Sequence, residues 1–209
     1  MATSPKSGEK TPDQQQLPAQ KAQREPQDAA YARAQDAIAT ARTSDASDLT
    51  LSGDDFSDLT ELPPDVGTLT ALTDLSLSGT QVSDISALSG LTGLMGLSLS
   101  RTPVSDISAL SGLRGLSTLD LMRTSVSDIS VLSGLTGLME LTLTGTPVND
   151  LSPILPLTQL VDAPKYGGLA FRNTAAARAD RRIAEIAGIQ DDAKRATDLC
   201  AYLKNVTPT

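Results

Sequence analysis

The chain has no histidine, no tryptophan, a single cysteine and only three tyrosines and two phenylalanines in 209 residues. Each scarcity removes a class of chemistry. Without histidine there is no Ser-His-Asp or Cys-His catalysis and no His-ligated metal. Cys200 alone builds neither a disulfide nor a cysteine zinc cluster. So few aromatics cannot supply stacking platforms for single-stranded nucleic acid. No apolar run approaches the ~20 residues of a membrane span. The first residues, Met1 to Lys6, lack the apolar core of a secretory signal and the glycine that myristoylation needs. One free cysteine suits a reducing compartment. The expected compartment is the cytoplasm, with export without a cleaved signal peptide as the variant. No cofactor, metal or membrane is expected.

Basic residues are scarce in the middle of the chain. Residues 49–162 hold Arg101, Arg114 and Arg123 against 13 acidic groups, within an overall charge of −8. That stretch repels a phosphate backbone, so nucleic acid is not an expected partner.

What the chain has in excess is leucine: 31 residues, 27 of them between Leu49 and Leu160. They fall on a period of 22. Leu75, Leu97, Leu119 and Leu141 form one column, and Leu77, Leu99, Leu121 and Leu143 a second. Thr80, Thr102, Thr124 and Thr146 repeat with the same step, as do Val82, Val104, Val126 and Val148. So do Asp84, Asp106, Asp128 and Asp150. The Leu-x-Leu fragment has period 2, so both leucines leave a short strand on one side. The Asp-Ile-Ser-x-Leu part returns opposite as an irregular or 3₁₀ segment, because 22 residues leave no room for a full helix. One such coil cannot bury its leucines, but stacked coils can.

The flanks come into register with longer units. Leu49-Thr50-Leu51 matches Leu75-Ser76-Leu77 after a unit stretched by Leu62-Pro63-Pro64-Asp65-Val66-Gly67, and Leu169 to Thr174 overlays Leu97 to Thr102. These residues resemble the leucine-rich repeat family. The units with Asp-Ile-Ser-x-Leu look like the internalin-type repeats of bacteria, and Leu62-Pro63-Pro64-Asp65-Val66 looks like the bacterial L-P-x-x-[IV] repeat. The chain departs from the family at Thr80, Thr102, Thr124 and Thr146, where asparagine is usual. There a hydroxyl replaces one hydrogen bond to the neighbouring turn.

The expected fold is α/β: a leucine-rich repeat solenoid of about six coils over 49–174, with a parallel sheet on its concave face. Residues 1–26, rich in Gln, Pro, Lys and Ser, read as a disordered tail. Residues 27–48 read as an N-terminal cap helix, with Ala30, Tyr31, Ala34, Ile38 and Ala41 on one stripe. Residues 175–209 read as a C-terminal helical cap, with Asp180 and Asp191-Asp192 opening its two helices. Arg172, Arg178, Arg181 and Arg182 gather at that junction and read as solvated cap surface.

The Asp84 column reads as caps for the return turns rather than a cation ladder, because one metal site would not need a carboxylate in every coil. Asp120 and Glu140 face the concave side and could form a glycosidase pair, but no aromatic sugar platform accompanies them. Cys200 has no histidine to activate it and reads as a packing residue.

The concave positions are mostly Ser, Thr and Gly. An exposed Met122 beside Arg123, Asp120 and Glu140 breaks that uniformity with a composition suited to binding. The candidate binding set is Asp74, Ser98, Arg101, Asp120, Met122, Arg123, Glu140, Thr142 and Arg172. What the family resemblance implies is protein–protein interaction, and the expected function is non-catalytic binding of a protein or peptide on the concave face, by a chain expected to be a monomer. An exported bacterial effector acting on a host protein through the same face is the alternative, and a glycosidase or esterase is a remote third.

Overall fold

The computed structural model describes residues 12–162 and 168–206, with side chains from Asp28 to Leu160 and from Gly168 to Val206. Six strands form one parallel sheet in chain order: β1 (Asp48–Thr50), β2 (Asp74–Ser76), β3 (Gly96–Ser98), β4 (Thr118–Asp120), β5 (Glu140–Thr142) and β6 (Leu169–Ala170). The register runs through the leucine column, with Leu49 beside Leu75, then Leu97, Leu119, Leu141 and Leu169. The long last unit therefore delivers its strand as its sequence predicts.

The strands are short because each coil must turn after its Leu-x-Leu. The second leucine of each pair is buried, and the chain then bends inward through the threonine, valine and isoleucine columns. The return side is 3₁₀, at Pro64–Thr68, Ser86–Gly90, Ser108–Gly112 and Ser130–Gly134. Leu88, Leu110 and Leu132 point inward from these turns. The core is thus a continuous leucine column with no coil able to bury its own apolar side alone.

The threonine column behaves differently from expectation. Thr80, Thr102, Thr124 and Thr146 are buried, but each hydroxyl donates to a carbonyl of its own coil three residues back. The acceptors are Leu77, Leu99, Leu121 and Leu143, at 2.9, 2.6, 2.9 and 2.7 Å. A threonine hydroxyl is too short to reach the neighbouring coil, so it closes its own turn instead.

Helix α1 (Pro12–Ser44) buries Ala30, Ala34, Ile38 and Ala41 over the open edge of the first coil. It begins well inside the stretch expected to be tail. Gln, Ala, Lys, Arg and Glu are good helix formers even where they offer nothing to a core. Residues 1–11 lie outside the described residues.

At the other end, the long unit returns through a short 3₁₀ turn at Ser152–Ile154, and α2 (Thr158–Asp162) follows it. Then α3 (Ala175–Ala179), α4 (Arg181–Ala187) and α5 (Asp192–Val206) close the edge of β6. Two of these were not expected, α2 and α3. The alanine run Ala175–Ala177 after the N-cap Thr174 was the available signal for α3. Asp180 caps α4 as expected, accepting from the amides of Arg182 and Ile183. The basic cluster is largely taken up within the cap. Arg181 and Arg182 both pair with Glu185, and Arg178 donates to the Asn173 carbonyl.

Candidate functional site

Residues at alternate positions to the inward leucines line the concave face. Three columns cross it. The first holds Asp48, Asp74, Gly96, Thr118 and Glu140; the second holds Thr50, Ser76, Ser98, Asp120 and Thr142. The third follows the strands and contains Ser78, Ser100, Met122, Thr144 and Arg172. Together the first two enclose a groove of about 370 Å³ running from β1 to β5.

Of the expected residues, Asp74, Ser98, Asp120 and Glu140 line this groove, and Thr142 lies beside it on β5. Asp48 and Thr50 line it too and were not anticipated, although the match of Leu49 to Leu75 places them in these columns. Gly96 deepens the floor next to Asp74. A Cβ there would stand 2.3 Å from the Asp74 Oδ1.

A chain of hydroxyls crosses the centre of the face. The Ser78 and Ser98 hydroxyls are 2.7 Å apart, and Ser98 Oγ donates to Asp120 Oδ2 at 3.4 Å. Asp120 Oδ1 accepts from the Met122 amide at 2.9 Å. Both Asp120 oxygens are therefore engaged in holding the strand end. The register sets Glu140 beside Thr118 rather than beside Asp120.

Two candidates differ from their sequence reading. Met122 is half-buried rather than exposed, because the coils on either side stand ~4.8 Å away and cover its flanks. Among the described residues the exposed methionine is Met95, at 50%. Arg172 is tied into the C-terminal cap, donating from Nε to the Ala187 carbonyl at 3.1 Å and from Nη2 to Gly188 at 3.4 Å.

Arg101 and Arg123 sit just beyond the ends of β3 and β4 and are exposed. Their φ values are +58° and +56°. In the same column Gly53, Gly79 and Gly145 take φ near +80°, and Asn173 takes +56°. The turn demands left-handed backbone in every coil, and glycine meets it without steric cost. Two adjacent coils meet it with arginine, at ~1–2 kcal/mol per residue. Space for the Arg123 stem comes from the next coil, since a Cβ on Gly145 would stand 3.2 Å from Arg123 Cγ.

The convex side has its own repeated polar column. Asp84, Asp106, Asp128 and Asp150 each accept from the amide two residues on, of Ser86, Ser108, Ser130 and Ser152, all at 2.8 Å. Those backbone hydrogen bonds, aided by the serine hydroxyls, hold the carboxyls of Asp84, Asp106 and Asp128 below the ordinary carboxylate value. They are turn caps. Cys200 is buried on α5, and burial pushes its thiol up, away from the nucleophilic thiolate.

Six parallel strands in leucine register, with an Asp-capped 3₁₀ turn returning the chain after each of β2 to β5, decide the architecture. The fold is a leucine-rich repeat solenoid. No family model and no curated protein matches it in sequence. Among solved structures, this leucine-rich repeat chain is similar to internalin C2 of Listeria monocytogenes, with 30% identity over 61% of each chain and a TM-score of 0.48. It is also similar to internalin F of the same organism, with 28% identity over 63% of this chain and 44% of the other, and a TM-score of 0.47. It spans less than two thirds of either internalin. No helix among the described residues is long and apolar enough to cross a membrane.

Proposed function

We propose that this leucine-rich repeat chain is a non-catalytic protein-binding module whose concave sheet face receives a protein or peptide. The observation that carries this reading is the groove across β1 to β5, about 370 Å³ and floored by small side chains. Small hydroxyl-bearing residues leave room for a partner backbone and offer it donors and acceptors. The leucine-rich core behind them fixes the spacing of those groups, so the face is preorganised. Of the polar groups that break the uniformity, Asp74, Asp120 and Glu140 line the same groove, and Arg101 and Arg123 stand past the strand ends on the same face.

The remote enzymatic reading finds little support in the same geometry. Asp120 is held by Ser98 and by the Met122 amide, and no group lies beside it that would set apart an acid and a base.

The test is affinity capture from the native cell extract with the chain and with Ser98→Trp and Thr118→Trp variants. These fill the groove without changing charge. Partners bound by the parent chain are expected to be lost in both variants. Retention of the same partners by both would place binding elsewhere on the molecule.

A further inference from the structure

The concave face is electrostatically divided. Its groove is walled by Asp48, Asp74, Asp120 and Glu140 and has no basic residue in its lining. None of the four has a cationic partner within 4.0 Å among the described residues. Past the strand ends, about 16 Å from the Asp74–Glu140 column and about 10 Å from the Asp120 column at ~3.3 Å per residue, stand Arg101 and Arg123, exposed and likewise without an ion pair among the described residues. The acidic groups run along the solenoid over several coils, so the groove is a lane rather than a point. The two arginines occur where neighbouring coils use glycine, so they fence one side of that lane.

We propose that the groove takes an extended protein segment rich in Lys and Arg, laid along the solenoid axis across β1 to β5. The segment's cations face the four carboxylates, and its backbone meets Ser98 and Thr118. Arg101 and Arg123 repel the same cations from the far edge and so fix the lane in which the segment lies. This assignment rests on the concave face being the binding surface and adds the chemistry of what it binds.

The probe is a nine-residue peptide alternating Lys and Ser, with a Glu and Ser peptide as control. Its binding is followed by fluorescence anisotropy at low and moderate salt and by backbone amide shifts of the parent chain. The Lys peptide is expected to bind and the Glu peptide not. Binding should weaken with salt, as attraction between exposed charges does. Asp74→Asn with Glu140→Gln is expected to weaken it about tenfold, and Arg123→Ser to strengthen it severalfold. Asp84→Asn with Asp128→Asn removes the same charge from the convex side and is expected to leave affinity within about twofold.

Amide shifts in the parent chain, which need no variant to fold, should gather on 74–76, 96–98, 118–120 and 140–142. Equal weakening by the convex pair, or shifts gathered on 84–86, 106–108 and 128–130, would overturn the proposal. So would equal affinity for the two peptides. Absence of peptide binding while Ser98→Trp still abolishes partner capture would overturn the charge assignment and leave the concave binding surface standing.

Discussion

The Nε of Arg195, on the buried face of α5, donates to the carbonyl of Leu169 in β6 at 2.6 Å. That carbonyl belongs to the last strand, which has no following coil to pair with. The same guanidinium donates to the Ile189 carbonyl and to Asp192. One planar fork therefore closes the sheet edge and ties α5 to the turn before it. Arg195→Ala leaves the Leu169 carbonyl unpartnered in a buried site and the half-exposed Ile189 and Asp192 acceptors without their donor, and is expected to cost about 1–3 kcal/mol. Arg195→Lys should recover only part, because an ammonium cannot span three acceptors in the fork geometry. Urea denaturation of the three proteins checks this.

Close packing between return turns gives a second prediction. Gly67 lies in the 3₁₀ turn Pro64–Thr68, and a Cβ there would stand 2.5 Å from the Ala87 carbonyl oxygen of the next coil. Backbone cannot swing aside as a side chain can. Gly67→Ala is expected to destabilise by about 1–3 kcal/mol. Gly134 ends the equivalent turn Ser130–Gly134 with nothing within 4 Å of such a Cβ. Gly134→Ala is expected to be neutral or to stabilise by up to about 1 kcal/mol. Thermal melts of the two variants should move in opposite directions or differ clearly in size.

Left-handed backbone at Arg101 and Arg123 makes a third test possible. Arg101→Gly and Arg123→Gly relieve the steric cost of +58° and +56°, offset by the greater freedom of glycine in the unfolded chain. Each is expected to be neutral or to add up to about 1 kcal/mol of stability. A marked loss on either substitution, seen in urea denaturation, would mean that the arginine side chain holds the turn.

Acid should loosen the return turns. The carboxyls of Asp84, Asp106 and Asp128 are held below their ordinary value of 3.8 by the amides of Ser86, Ser108 and Ser130. A depressed folded value stabilises the fold above 3.8 and stops doing so as pH falls through the folded value. The melting temperature is expected to decline once the pH drops below 3.8. Replacing all three with asparagine should lower it at neutral pH and flatten the acid decline. A parent chain whose melting temperature is as high in acid as at neutral pH would contradict this.

The architecture was legible because a solenoid writes its register into its period. Leu49, Leu75, Leu97, Leu119, Leu141 and Leu169 are strand neighbours, and each is a column position in the sequence. The Asp84 column was legible as caps for the same reason, since a role repeated in each coil is a role in the coil. Single positions were harder to read. Period 2 gives the side on which Met122 leaves the strand, but its exposure depends on how closely adjacent coils stand. Arg172 looked like part of the concave face, yet its fate was set by α4, whose end lies 15 residues away in sequence. The left-handed column could have been found by aligning Gly53, Gly79 and Gly145 with Arg101 and Arg123, a comparison that needs the turn and not the strand.

The most direct measurement places a photo-crosslinking residue at Thr118, on the groove floor of β4, and in a separate protein at Ser111, exposed on the convex 3₁₀ turn Ser108–Gly112. After illumination in native extract, adducts to a partner protein are expected from position 118 and not from position 111. Adducts from position 111 alone, or equally from both, would contradict a concave binding face.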